Sequence, residues 1–337
     1  MLIDPDISRR IAITKLLMVM GIVVTHIPPW LDITDLSFTT PETIKAFFSH
    51  ALFRAAVPIL AAISGYLLFS SKLFLDIKKL LTKKFRSIII PLIIWNLPFA
   101  IIIFLLQSFD SNIYTSHHTL YPFSLSNWLI AVTAVIDSPI NAPLYFLRDL
   151  FVISMLAPFY WMLFKNVPYV GLAVVLIIFY FNLDGDIILR DSMFVTFYFG
   201  ILASTQQWNL RSLDKYAYSL LIIFLFACIY IVYDKIDNKE TFIIFSPFLI
   251  WPALSKIVYT PLGDFLAKYT KYSFLLFLSH LPIMFVFYKI FLIIGDNIPY
   301  FVFWVISPLI TIYLALVIIP KIEYLFPSAY KLSVGGR

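Results

Sequence analysis

The sequence predicts an all-α integral membrane protein, a bundle of about ten transmembrane helices with both termini in the cytoplasm. Three observations predict it: the composition, the spacing of the apolar stretches, and the side on which the basic residues fall. Of the 337 residues 61% are hydrophobic and only 13% are charged, about half the roughly 25% usual in soluble domains. Mean hydropathy is +0.91. A soluble chain of this length could not cover so apolar a composition with polar surface, whereas lipid accepts apolar side chains facing outward.

A hydrocarbon core of about 30 Å takes roughly 20 apolar residues per helix. Ten stretches meet or approach this, near 11–31, 47–69, 87–106, 143–164, 167–183, 192–207, 216–233, 241–258, 274–294 and 300–320. The fifth and sixth are short, and the eighth is interrupted by Pro247 and Pro252. Residues 127–136 are apolar but too short to span, so they read as an interfacial or re-entrant segment. The segment from Met1 to Arg10 is polar and lacks a small-residue cleavage site, so the first apolar stretch is expected to stay as helix one. The longest outer connection, about 107–142, is rich in Ser, Thr and Asn; connections of that length are usually functional or disordered. There is no internal repeat and no second soluble domain, so residues 1–337 read as one transmembrane domain.

The basic residues test this topology. With the N-terminus in the cytoplasm, Lys45, Arg54, Arg148, Arg190, Lys235, Lys239 and Lys289 fall outside. The other 18 of the 25 Lys and Arg residues, from Arg9 to Arg337, fall inside (25 − 7). That is the positive-inside bias. It accounts for the net charge of +6 and removes any need for a nucleic-acid surface. The one cysteine, Cys228, excludes an internal disulfide and a cysteine metal cluster. Gly-rich phosphate loops, HExxH and Gly-x-Ser-x-Gly motifs are missing, and no metal is predicted.

Ionisable groups inside a span are costly and point to function. His26 is placed about five residues inside the outer end of helix one, Arg54 about seven residues into helix two, and Arg148 and Asp149 about five residues into helix four. At about 1.5 Å per residue all four lie roughly 7–10 Å below the outer interface. The structural alternative is an ion pair of Arg148 or Arg54 with Asp149 that joins helices. Lys15 precedes His26 by eleven residues, which at about 100° per residue returns it to nearly the same face; alone, it reads as a lysine reaching the inner interface. Lys289 reads the same way at an outer end. His280 is placed in the inner half of helix nine, as a bonded core histidine or a second catalytic candidate. His50, His117 and His118 fall in outer loops or at a helix entrance. The run from Lys78 to Arg86 lies on the inner side, where anionic lipid or a polyanionic cofactor would meet it; Arg and Lys both suit phosphate. Ser64-Gly65-Tyr66 is no nucleophile elbow, and its glycine is expected to allow close helix packing.

These residues resemble the acyltransferase-3 family of multi-pass membrane acyltransferases, the bacterial surface-glycan O-acetyltransferases. The stretch from Lys15 to His26 is similar to that family's first helix, a basic residue followed by an apolar run ending in histidine. Phe53-Arg54, Val57-Pro58 and Ser64-Gly65-Tyr66 resemble its second-helix pattern. Lys83-Lys84-Phe85-Arg86 with Pro91 resembles its basic-x-x-Arg motif, Tyr145-Phe146-Leu147-Arg148 its Phe-Leu-Arg motif, and Tyr272 to His280 its late Tyr-Leu-x-His motif. The five occur in family order over about 11–165 and 270–285; 166–265 carries none. Lys15 and Lys83 stand where the family commonly has Arg, which keeps the charge but loses the guanidinium fork.

The resemblance implies transfer of an acyl group, usually acetyl from acetyl-CoA, onto a hydroxyl of O-antigen, exopolysaccharide or another envelope glycan, in the bacterial inner membrane. It implies acyl-CoA contacts at Lys15, Lys83, Lys84 and Arg86, and an acceptor glycan or lipid-linked saccharide arriving from the outer face. A sugar hydroxyl needs a base to take its proton, and neutral imidazole suits that near pH 7. His26 is the expected base, or else the group that carries the acyl itself. Arg54 or Arg148 would stabilise the oxyanion, and Asp149 would orient His26. Ser64, Tyr66 and His280 are further candidates. A transporter or exporter of a glycan or small solute is the alternative, since buried charges also mark transport paths.

Overall fold

The computed structural model of the chain describes residues 3–30, 32–110, 113, 118–185, 187–295 and 298–336. His117, Met1 and Arg337 lie outside the described residues. Among the described residues every regular element is helical. In chain order the helices are α1 (Pro5–Thr25), α2 (Thr40–Ser70), α3 (Ile77–Phe109), α4 (Leu125–Thr133), α5 (Ala142–Phe164), α6 (Pro168–Phe181) and α7 (Ser192–Thr205). They continue as α8 (Asp214–Tyr233), α9 (Glu240–Leu254), α10 (Pro261–Ala267), α11 (Thr270–Ile294), α12 (Tyr300–Leu325) and α13 (Pro327–Ser333). Each of the ten apolar stretches is a helix, and residues 127–136 overlap the short α4. Six of the ten, α2, α3, α5, α8, α11 and α12, are long and apolar enough to cross a membrane. The chain is therefore a multi-pass membrane protein. Of the other four, α1 has the length but carries Asp6, Arg9, Arg10 and Lys15 in its first half. Helices α6, α7 and α9 have 14, 14 and 15 residues, about 21–23 Å against a core of about 30 Å.

The chain forms two compact units, one of residues 1–72 and 192–317, the other of residues 73–191 and 318–337. In the first unit, α7 is buried along nearly its whole length, from Ser192 to Ala203. A helix apolar on every side belongs in a protein interior, which accounts for its shortness. It lies against α2 through two glycines. A Cβ at Gly65 would collide with the Phe197 carbonyl oxygen, and one at Gly200 with the Ala62 carbonyl oxygen and the Tyr66 amide nitrogen. Gly65 thus fills the packing role expected of it.

Prolines shape two other elements of this unit. Helix α9 is not broken at Pro247 and Pro252, as the sequence suggested; it runs through both. Pro247 has no N–H for the Ile243 carbonyl one turn back, and the Ser246 hydroxyl donates to that carbonyl instead at 2.7 Å. Helix α1 starts at Pro5, capped by the Asp4 carboxylate that accepts from the Asp6 amide at 2.8 Å, a favourable start. It ends at Thr25, not near residue 31, because Pro28 and Pro29 cannot continue a helix.

In the second unit, α3 is 33 residues long, about 50 Å, so its charged beginning extends past an apolar core of about 30 Å. Asp76 caps it by accepting from the Lys79 amide at 2.9 Å. Two buried amides on α3 organise the long connection that follows. Gln107 donates to the carbonyls of Ile113 and His118 at 3.0 and 2.8 Å and accepts from the amides of Leu120 and Tyr121 at 2.8 and 3.1 Å. Asn96 donates to the Val132 carbonyl at 3.2 Å and accepts from the Asn141 amide at 3.1 Å.

Candidate active site

His26 and His280 come together in the first unit. The sequence placed them toward opposite ends of their helices, but their ring centroids are 5.4 Å apart, edge to face at 66°. His26 is not inside a helix as expected. It is the C-terminal cap of α1, because α1 lies about six residues earlier in the chain than the hydropathy suggested. His280 is fully buried in α11, ten residues past Thr270.

Both rings are held the same way. His26 Nδ1 is 2.8 Å from the Ile22 carbonyl oxygen and 3.1 Å from the Thr25 hydroxyl. His280 Nδ1 is 2.7 Å from the Phe277 carbonyl oxygen. A carbonyl only accepts, so in each neutral ring Nδ1 carries the proton and Nε2 carries the lone pair. His280 Nε2 is buried and has no hydrogen-bond partner among the described residues.

Arg54 belongs to the same unit. It lies in a stretch of α2 that departs from α geometry, a π turn at Phe47–Ala51 followed by a 3-10 turn at Leu52–Ala55. Its side chain is exposed and donates through Nε to the Ser49 carbonyl at 3.0 Å. Burial, and then the Arg54 charge, hold the neighbouring loop residue Lys239 below the ordinary lysine range. Lys15 is half-buried on α1. Ser64 donates to the Leu60 carbonyl at 2.7 Å, a bond within its own helix. Tyr66 lines a cavity of about 370 Å3 together with Phe199, Trp208, Phe248 and Trp251.

Sequence reasoning missed the charged end of α1. Arg10, counted only as a topology signal, is 3% exposed. Its Nη1 lies 3.0 and 3.1 Å from the two Asp214 oxygens, and its guanidinium stacks 4.0 Å above the Trp251 ring. Arg9 pairs with Asp264, and Arg211 binds Asp4 and Asp6 at 2.7 and 3.0 Å. No signal in the sequence pairs them, since Arg9 and Arg10 lie 255 and 204 positions from their carboxylates.

In the second unit Arg148 and Asp149 form the ion pair that was the structural alternative, at 2.9 Å, with side chains 11% and 0% exposed. Asp149 also accepts from the amides of Leu189 and Arg190 at 3.1 and 3.0 Å. Arg148 donates to the carbonyls of Ala134 and Val135, each at 3.2 Å, and of Ile187. The pair therefore gathers the segments at 134–135 and 187–190 onto the start of α5. Lys83 and Arg86 are exposed and Lys84 is half-buried near the charged start of α3, where a π turn, Phe85–Ile89, leads into the apolar run.

The family described as an acyltransferase domain matches residues 9–319, a range that holds every candidate above. Over 349 aligned residues the chain is 28% identical to the succinoglycan biosynthesis protein ExoH of Rhizobium meliloti (strain 1021), covering 99% of this chain and 94% of that protein. No solved structure matches the chain.

Proposed function

Because the chain belongs to the acyltransferase-3 family, we propose that it is a bacterial inner-membrane O-acyltransferase that moves an acyl group, acetyl first among the candidates, from acyl-CoA to a hydroxyl of an exopolysaccharide or related surface glycan. The glycan class is favoured by the likeness to a succinoglycan biosynthesis protein. What carries the reading is the His26 ring, whose Nδ1–H is fixed on a backbone carbonyl at 2.8 Å, so that Nε2 is the basic nitrogen. His26 Nε2 takes the proton of the acceptor hydroxyl as its oxygen attacks the thioester carbon. The C–S bond breaks, and the leaving thiolate takes that proton to become the free thiol of CoA. General-base assistance of this kind contributes roughly 10²–10⁴-fold.

Arg54, in the same unit and held through Nε on the Ser49 carbonyl at 3.0 Å, is assigned to the oxyanion. Lys83, Lys84 and Arg86 are assigned to the CoA phosphates and Lys15 to the same donor. Arg148 and Asp149 fix the loops that they bind within the second unit. The test is incubation of the purified protein in lipid vesicles with labelled acetyl-CoA and de-O-acylated exopolysaccharide. Label on the glycan supports the reading, and the mass increment identifies the acyl group. No transfer and no thioester hydrolysis, with either acetyl- or succinyl-CoA, would return the chain to the transporter class.

A further inference from the structure

We propose that His280 binds the acceptor saccharide: its Nε2 accepts a hydrogen bond from a hydroxyl next to the one that His26 activates. The inference rests on the acyl-transfer reading above and adds a residue to it. Three observations carry it. The His280 ring lies edge to face with His26, centroids 5.4 Å apart. Its Nδ1–H is spent on the Phe277 carbonyl at 2.7 Å, so its lone pair sits on Nε2. That Nε2 is buried without a partner among the described residues, in a side chain that is 0% exposed.

A buried acceptor with no donor is costly to keep. A residue with only a packing role at this position would be served better by Leu or Phe, which fill the same space without a lone pair to satisfy. The missing partner must be a donor. A thioester or acyl carbonyl only accepts, so the acyl group itself cannot supply it. A sugar hydroxyl can, as can an internal water, and the glycan KM of His280→Leu tells these two donors apart; saccharides carry hydroxyls on neighbouring carbons. Two imidazoles anchored alike through Nδ1, with centroids 5.4 Å apart, suit a diol: one hydroxyl is held at His280 and its neighbour loses its proton at His26. His280 is then a determinant of which hydroxyl reacts.

The experiment uses the full chain in lipid vesicles, acetyl-CoA, and exopolysaccharide purified from cells lacking this protein and then de-O-acylated. His280→Leu removes the acceptor atom. His280→Gln keeps an amide oxygen within reach of the Nε2 position. We expect His280→Leu to raise the KM for glycan about tenfold or more with the KM for acetyl-CoA unchanged, and His280→Gln to stay within about threefold of the parent. Stability should run the other way, with Leu at least as stable as His and Gln less so, because Gln adds buried polar atoms. An unchanged glycan KM in His280→Leu, or losses in Leu and Gln that follow stability, would overturn the role of His280 and leave the acyl-transfer reading standing. Failure of the unmutated protein to transfer label would overturn both.

Discussion

Asp149→Ala tests whether the Arg148–Asp149 pair is the clamp that its contacts describe. The substitution removes three interactions: Arg148 Nη1 at 2.9 Å, the Leu189 amide at 3.1 Å and the Arg190 amide at 3.0 Å. It also leaves the Arg148 guanidinium, only 11% exposed, without its counter-ion. Breaking one side of a buried pair costs about 3–5 kcal/mol. Adding the three bonds separately would overcount, because they share one carboxylate. With an unfolding entropy of about 2.1 cal/mol/K per residue, 337 residues melting together give roughly 0.7 kcal/mol/K, so the apparent Tm falls by roughly 4–7 °C. The assay is thermal unfolding of detergent-solubilised protein followed by fluorescence. The double variant Arg148→Leu with Asp149→Leu should lose less than Asp149→Ala alone, since it leaves no buried charge without a counter-ion; of the three carbonyls that Arg148 binds, those of Val135 and Ile187 belong to residues exposed at 62% and 57%, and that of Ala134 to a buried one. A shift below about 1 °C in Asp149→Ala, against the expected 4–7 °C, would refute the clamp.

Three further outcomes follow from the same structure. Gly200→Leu should destabilise by at least the roughly 1–3 kcal/mol of overpacking, because its first added carbon already meets the backbone of Ala62 and Tyr66; an unchanged Tm would contradict the close approach of α2 and α7. Changing Lys83 and Arg86 together to Ala should weaken acyl-CoA binding, measured by calorimetry, and added salt should weaken binding by the unmutated protein too; equal affinity in folded variants would return this run to topology signalling alone. Reporter fusions at Met1 and Arg337 should both report a cytoplasmic location, as the Lys and Arg distribution predicts; a periplasmic signal at either end would overturn the topology.

Helices were legible in the sequence because apolar runs of this length have few other fates. What the sequence obscured came from effects that hydropathy averages away. The end of α1 moved because two prolines after His26 outweigh the apolar residues around them. Helix α9 survived Pro247 because Ser246 replaced the missing donor, a repair that depends on one hydroxyl. The shortness of α7 is explained by neighbours on all sides, which a single segment does not display. Within the candidate site, His26, Arg54 and Arg148 stood out as ionisable groups in apolar surroundings. The contact of His26 with His280 joins residues 254 positions apart, a separation that periodicity within one helix does not bridge. Arg10 was hidden among basic residues that topology already explained.

Acyl transfer by His26→Ala and His26→Gln tests the central claim most directly, with glycan acylation from labelled acetyl-CoA normalised to folded, membrane-inserted protein. Loss of the base should lower the rate by roughly 10²–10⁴-fold in both variants, with expression and insertion intact. Transfer near the parent rate in either variant would make His26 structural and contradict the mechanism.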